Sequence, residues 1–178
     1  MRIAIIGWGS LIWNPETLNY IGEWDPQGPI LPIEFSRISG NGRLTLVIDE
    51  ANGVPIQTLY ALAATASLEE AIENLRGREG TNSRGIGHVR NGGHPQSRVE
   101  KTTLDWVVDN GFDAAIWTAL GSNFEQKTGK PYSLENALAY IDSLEASIRT
   151  SALEYISKAP TAVQTPFRAR FEKKLREK

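Results

Sequence analysis

Short apolar runs broken by turn residues fill the first third of the chain at strand spacing, and helical spacing takes over after residue 67. Arg2–Ile6 is a nearly continuous, isoleucine-rich run that stops at Gly7, the pattern of a buried strand. Prolines at 15, 26, 29 and 32 make Asn14–Pro32 a long connection rather than a regular element. An antiparallel series is expected next: Ile33–Arg37, Arg43–Ile48 and Ile56–Leu62, joined by the turns Ser39–Gly42 and Asp49–Pro55. Ser67 then opens a helix. Its hydroxyl is placed to accept the amide of Glu70, whose carboxylate can reach back in a capping box.

Leu68, Ile72 and Leu75 follow at helical spacing, and Gly77 weakens the far end. Gly80–Ser97 reads as a loop with a short strand around Ile86–Val89, followed by a short helix at Leu104–Val108 and a strand at Ala114–Leu120. From Ser133 a stripe of Leu134, Leu138, Ile141, Leu144 and Ile148 resumes after a bend at Ala152, Tyr155 and Ile156, and Pro160 stops it. Phe167, Phe171 and Leu175 mark one face of a basic final helix at about 166–177. These elements predict a single α+β domain spanning residues 1–178, with a mixed, mainly antiparallel sheet and flanking helices.

Composition removes several kinds of chemistry from this outline. The 178 residues include no cysteine and two histidines, so a disulfide framework, a thiolate nucleophile and a cysteine-held metal are excluded. His88 and His94 lie in a glycine-rich stretch without zinc-protease spacing, and no metal or cofactor is expected. The apolar runs are far shorter than the roughly 20 residues of a membrane span. No secretory h-region follows Ile3–Ile6, which with the missing cysteines gives the expectation of a cytoplasmic protein. Charge is near balance overall, but from Gln164 onward there are six basic and two acidic side chains, while the remainder carries a net −6. A final helix tied to an acidic body explains this, and the lack of a basic, aromatic-interleaved surface elsewhere argues against nucleic acid.

Two places remain that can carry chemistry. The strand runs into Gly7-Trp8-Gly9, but Ile12 stands where a dinucleotide turn needs its third glycine, and Pro15 replaces the expected helix. What is left is a tight turn in which Gly9, Ser10 and Leu11 can present amides and a hydroxyl to a carboxylate or oxyanion, with Trp8 and Trp13 as walls or core. Ser10 has neither a nucleophile elbow nor a histidine partner, so it is not read as a hydrolase nucleophile. The second place is Glu79, which falls on the stripe of Leu68, Ile72 and Leu75 if the helix continues through Gly77. A carboxylate held against apolar surface has its pKa pushed upward, towards the range of a general acid or base, and Arg76 or Arg78 could offset this. If Gly77 ends the helix, Glu79 is a solvated loop residue instead.

Ile5-Ile6-Gly7-Trp8-Gly9-Ser10-Leu11-Ile12-Trp13 resembles the signature turn of the gamma-glutamylcyclotransferase-like superfamily, particularly its ChaC-like and related bacterial branches. Leu75-Arg76-Gly77-Arg78-Glu79-Gly80 resembles the segment that holds the catalytic glutamate of that family. The resemblance covers roughly residues 2–80 and implies an α+β fold around a partly closed barrel. It implies that Trp8, Gly9, Ser10 and Leu11 bind a small gamma-glutamyl or related amide substrate, with Glu79 as general acid/base and no cofactor. The implied reaction is attack of the substrate's α-amine on its own γ-carbonyl, releasing 5-oxoproline and an amine or amino acid. The alternative is a non-catalytic small-molecule binding or regulatory protein that retains the fold. Asn123 is a further candidate, as a substrate amide partner or a helix cap.

Overall fold

The computed structural model describes residues 1–176. Two compact units are present: one from Met1–Leu31 and Gln57–Leu120, the other from Pro32–Ile56 and the chain from Gly121 onward.

The first unit is built on a five-stranded sheet of order β2-β6-β1-β8-β7, comprising β1 (Ile3–Gly7), β2 (Tyr20–Asp25), β6 (Leu59–Ala63), β7 (Ile86–Arg90) and β8 (Ala114–Thr118). Only β1 and β8 run parallel, and β2–β6, β6–β1 and β7–β8 are antiparallel. Every residue of β1 is buried, which accounts for its unbroken apolar run: a strand covered on both faces has no polar side to alternate with. Two helices complete the unit, α1 (Leu68–Glu79) and α2 (Arg98–Asp109). Ala71 and Leu75 of α1 pack with Ile3, Ile5, Leu11, Leu18, Ile86, Ala114 and Ile116 in one hydrophobic cluster.

The second unit holds a three-stranded sheet of order β4-β3-β5, from β3 (Ile30–Ile38), β4 (Leu44–Ile48) and β5 (Val54–Gln57). Its helices are α3 (Phe124–Thr128), α4 (Leu134–Ser143), α5 (Ala146–Lys158) and α6 (Pro166–Arg176). The final helix, α6, covers Pro166–Arg176; residue 177, the last of the expected basic helix, lies outside the described residues. Phe35, Tyr155, Phe167 and Phe171 form its aromatic core, with Phe35 and Phe167 ring centres 5.3 Å apart.

The mixed, mainly antiparallel sheet with flanking helices is found, but the expected partly closed barrel is not. Both sheets are open: β2 and β7 are the edges of one, β4 and β5 of the other. Closure would require β2 to bond β7 across three intervening strands, and a barrel filled by side chains takes about eight strands in one sheet. Here the strands are divided five and three.

Local differences have local causes. The supposed connection 14–32 contains β2, an edge strand with no fully buried residue and no apolar alternation. The expected strand Ile56–Leu62 is two strands in different sheets, divided at Thr58. Thr58 is fully buried, and its hydroxyl donates to Pro29 O at 2.6 Å while its carbonyl accepts from Gly28 N at 3.0 Å. A Cβ on Gly28 would lie 2.6 Å from Thr58 Oγ1, so that crossing needs glycine. Helix α2 starts six residues before Leu104, capped by Ser97, because its first turns bury only the small side chains of Val99 and Thr103.

Candidate active site

The turn and the helix end singled out from sequence both belong to the first unit. The backbone leaves β1 at Gly7 into a turn in which Gly9 O accepts from Ile12 N at 3.0 Å and Ser10 O from Asn14 N at 2.8 Å. Gly7 is required by packing, since a Cβ there would sit 2.7 Å from the ring of Trp24. Trp8 and Leu11 are buried, while Ser10 is half-buried. The amides of Gly9, Ser10 and Leu11 donate to no acceptor among the described residues.

Helix α1 passes through Gly77 and ends on Glu79. The stop is Gly80, whose φ of 59° is the left-handed cap conformation that glycine adopts without strain. At the other end Ser67 Oγ accepts from Glu70 N at 3.3 Å, but the Glu70 carboxylate takes the Thr65 hydroxyl, so the return arm of the capping box is not made. Leu75 is fully buried, and the Glu79 side chain is 14% exposed. The stripe thus ends in a carboxylate sheltered from bulk water.

Arg78 joins the two places. Its guanidinium pairs through Nη1 with Glu79 Oε1, and through Nη2 it donates to Ser10 Oγ at 3.2 Å and Asn14 O at 2.7 Å. One turn earlier on the same face, Asn74 donates to Thr17 O at 2.9 Å and accepts from Asn19 N at 2.7 Å. Helix α1 therefore clips the connection after the turn at two successive positions. Sequence reasoning treated Arg78 only as a charge that could offset burial of Glu79. An arginine in a last helical turn usually faces solvent and complements the helix dipole, so nothing local marked it as buried.

Asp49, Asn123 and the two histidines take no part in this arrangement. Asp49 accepts from Ala51 N and Asn52 N at 3.1 and 3.0 Å, organising its turn. Burial works against its charge, but the nearby Ser36 hydroxyl and the hydrogen bonds from Asn52 and the Ala51 amide prevail and hold its carboxyl below the ordinary range. Asn123 accepts from Ile38 N at 2.7 Å and donates to Ile38 O at 3.0 Å, pairing with backbone rather than capping α3. His88 and His94 are exposed, and no group of three or more potential metal ligands exists among the described residues.

Glu34 was missed, although an acid between Ile33 and Phe35 within an apolar run is a visible signal. It is fully buried, and its carboxylate accepts from Phe35 N at 2.6 Å and Phe167 N at 3.2 Å. Burial raises its pKa, partly offset by the Thr165 hydroxyl and these two amides, with the charge of Asp49 adding to the rise. Tyr132 beside it is also held well above the ordinary phenol range, first by burial and then by Glu34 and Asp49. Glu34 sits at the N-terminus of α6 and serves as its cap.

No helix among the described residues is long and apolar enough to cross a membrane. No family model matches the chain, and no curated protein matches it. One solved structure shares the fold. The chain matches the crystal structure of a gamma-glutamyl cyclotransferase specific to glutathione from yeast, with a TM-score of 0.50 over 99% of each chain and 11% identity. At that identity the match establishes a shared fold.

Proposed function

We propose that this chain is a gamma-glutamyl cyclotransferase-type enzyme that releases 5-oxoproline from a small gamma-glutamyl compound. The observation that supports this most directly is the buried Arg78 bridge between the Glu79 carboxylate and Ser10 of the glycine turn. The substrate's γ-carbonyl oxygen lies on the amides of Gly9, Ser10 and Leu11, against Trp8. Glu79 takes a proton from the α-ammonium, and the freed amine attacks the γ-carbon, closing the five-membered ring. Negative charge collects on the carbonyl oxygen, where preorganised amides stabilise it. The bond to the leaving nitrogen then breaks as Glu79 gives that proton to it, and the second proton of the former ammonium passes from the ring nitrogen through the Glu79 carboxylate to the released amine, which departs as an ammonium. Both reacting groups belong to one molecule, so orientation and a single proton carrier are enough.

The test is a mass-spectrometric screen of gamma-glutamyl amines, gamma-glutamyl dipeptides and glutathione for 5-oxoproline, with Glu79→Gln alongside. Loss of the proton carrier is expected to lower kcat by about 10²–10⁴-fold. Turnover unchanged in Glu79→Gln refutes the mechanism. Binding of these compounds without product from any of them supports the non-catalytic alternative.

A further inference from the structure

We propose that Arg78 is a positioning residue for the cyclisation, acting through Glu79 rather than on substrate; this rests on the function proposed above. The side chain of Arg78 is 7% exposed, less than that of Glu79 itself, so its guanidinium faces protein. Its three bonds go to three distinct pieces of the candidate site: the carboxylate of Glu79, the hydroxyl of Ser10 and the backbone of Asn14. A planar guanidinium holds these directions at once, which an ammonium cannot do.

One of the donors left over shows that this arrangement is demanding. Arg78 Nε is buried with no hydrogen-bond partner among the described residues. A buried donor left unmade is unfavourable, and an arginine that only anchored the loop could turn to satisfy it. The fork is instead committed to the turn and to the neighbouring acid. One Glu79 oxygen, Oε1, is occupied by Nη1, and Oε2 has no protein partner among the described residues. The carboxylate is thereby fixed in rotation with one oxygen available to move a proton. Asn74 and Arg78, four residues apart, also fix the distance between the helix end and the turn. Displacement of a catalytic group by about 1 Å can cost about 100-fold in rate.

The test compares Arg78→Met, Arg78→Lys and Glu79→Gln, and the Arg78→Met/Glu79→Gln double variant, on the best gamma-glutamyl substrate from the screen. Arg78→Met is expected to lower kcat by about 10–100-fold with KM within about threefold, because Arg78 touches no substrate. Arg78→Lys keeps charge without the fork and is expected to recover only part of the loss. The decisive outcome is non-additivity: in the Glu79→Gln background, removing Arg78 should change kcat by less than about twofold. Full additivity, or a loss confined to KM, overturns the positioning role while leaving Glu79 as the acid/base. If Arg78→Met does not fold, the cycle is run with Arg78→Lys and judged in the same way. If the wild-type protein turns over nothing, or Glu79→Gln keeps full activity, the catalytic reading and this inference fall together.

Discussion

Removing the side chain of Leu75 should destabilise the first unit selectively. Leu75 is 0% exposed and lies among Ile3, Ile5, Leu11, Leu18, Ile86 and Ile116, residues of a sheet and loop that cannot all close on a void. Leucine-to-alanine changes at such sites cost about 2–5 kcal/mol, and complete burial puts Leu75→Ala in the upper part of that range, at about 3–5 kcal/mol. For a unit of this size, fewer than 100 residues, each kcal/mol corresponds to about 4–8 °C in Tm, so the expected fall is about 12–40 °C. The assay can resolve the units. All five tryptophans, at 8, 13, 24, 106 and 117, belong to the unit that contains Leu75, so intrinsic tryptophan fluorescence follows that unit's unfolding. Leu75→Met, which nearly conserves volume, should cost less than about 1.5 kcal/mol. The reasoning is refuted if Leu75→Ala shifts the fluorescence transition by less than about 2 °C, or if the alanine and methionine variants are alike.

Glu34 and Gly87 provide two independent checks. The raised pKa of Glu34 means that the folded state holds a proton that the unfolded state releases, so its stabilising contribution is full below about pH 4.5 and is lost as pH rises through the folded value. Glu34→Gln lacks this loss, and its stability relative to wild type in urea should therefore improve from pH 4 to pH 8, by about 1.4 kcal/mol for each pH unit between the two titrations; a difference that does not vary with pH contradicts the assignment. At Gly87, an added Cβ would lie 2.3–2.6 Å from three atoms of the Trp117 indole, which is only 3% exposed. Gly87→Ala should cost about 1–3 kcal/mol and alter tryptophan emission, and wild-type emission with an unchanged Tm would show that the ring moves freely.

Legibility from sequence followed the range of the forces involved. β1, α1 and the turn at Ser39–Gly42 were readable because burial, capping and glycine geometry act within a few residues. Glu79 was readable as the last member of a helical stripe for the same reason. Edge strand β2 was hidden because only its pairing with β6 makes it a strand, and none of its own residues is fully buried. The split of 56–62 at Thr58 depends on Gly28 and Pro29, about thirty residues away in sequence. Arg78 was hidden by distance too, since its partners Ser10 and Asn14 precede it by 68 and 64 residues. The barrel was carried over with the family resemblance, and the pairing of the strands themselves replaces it with two open sheets.

The position of Glu79 sets two local preferences against each other. An acid at a helix C-terminus opposes the macrodipole, at a cost of about 0.3–1 kcal/mol, and partial burial removes water that would soften the effect. Arg78 offsets that conflict but leaves its own Nε without a partner among the described residues. Stability alone would be better served by a lysine or glutamine at 79 and a solvated arginine at 78. Local rules broken in adjacent residues, one of them tied to a turn whose amides at 9–11 have no acceptor among the described residues, are expected where a site demands what the fold does not. That is why the double-variant cycle should be read together with Tm. If Glu79→Gln raises stability while abolishing turnover, the acid is retained at 79 for chemistry. If it lowers stability and leaves turnover intact, the Arg78–Glu79 pair is only a helix-end clasp.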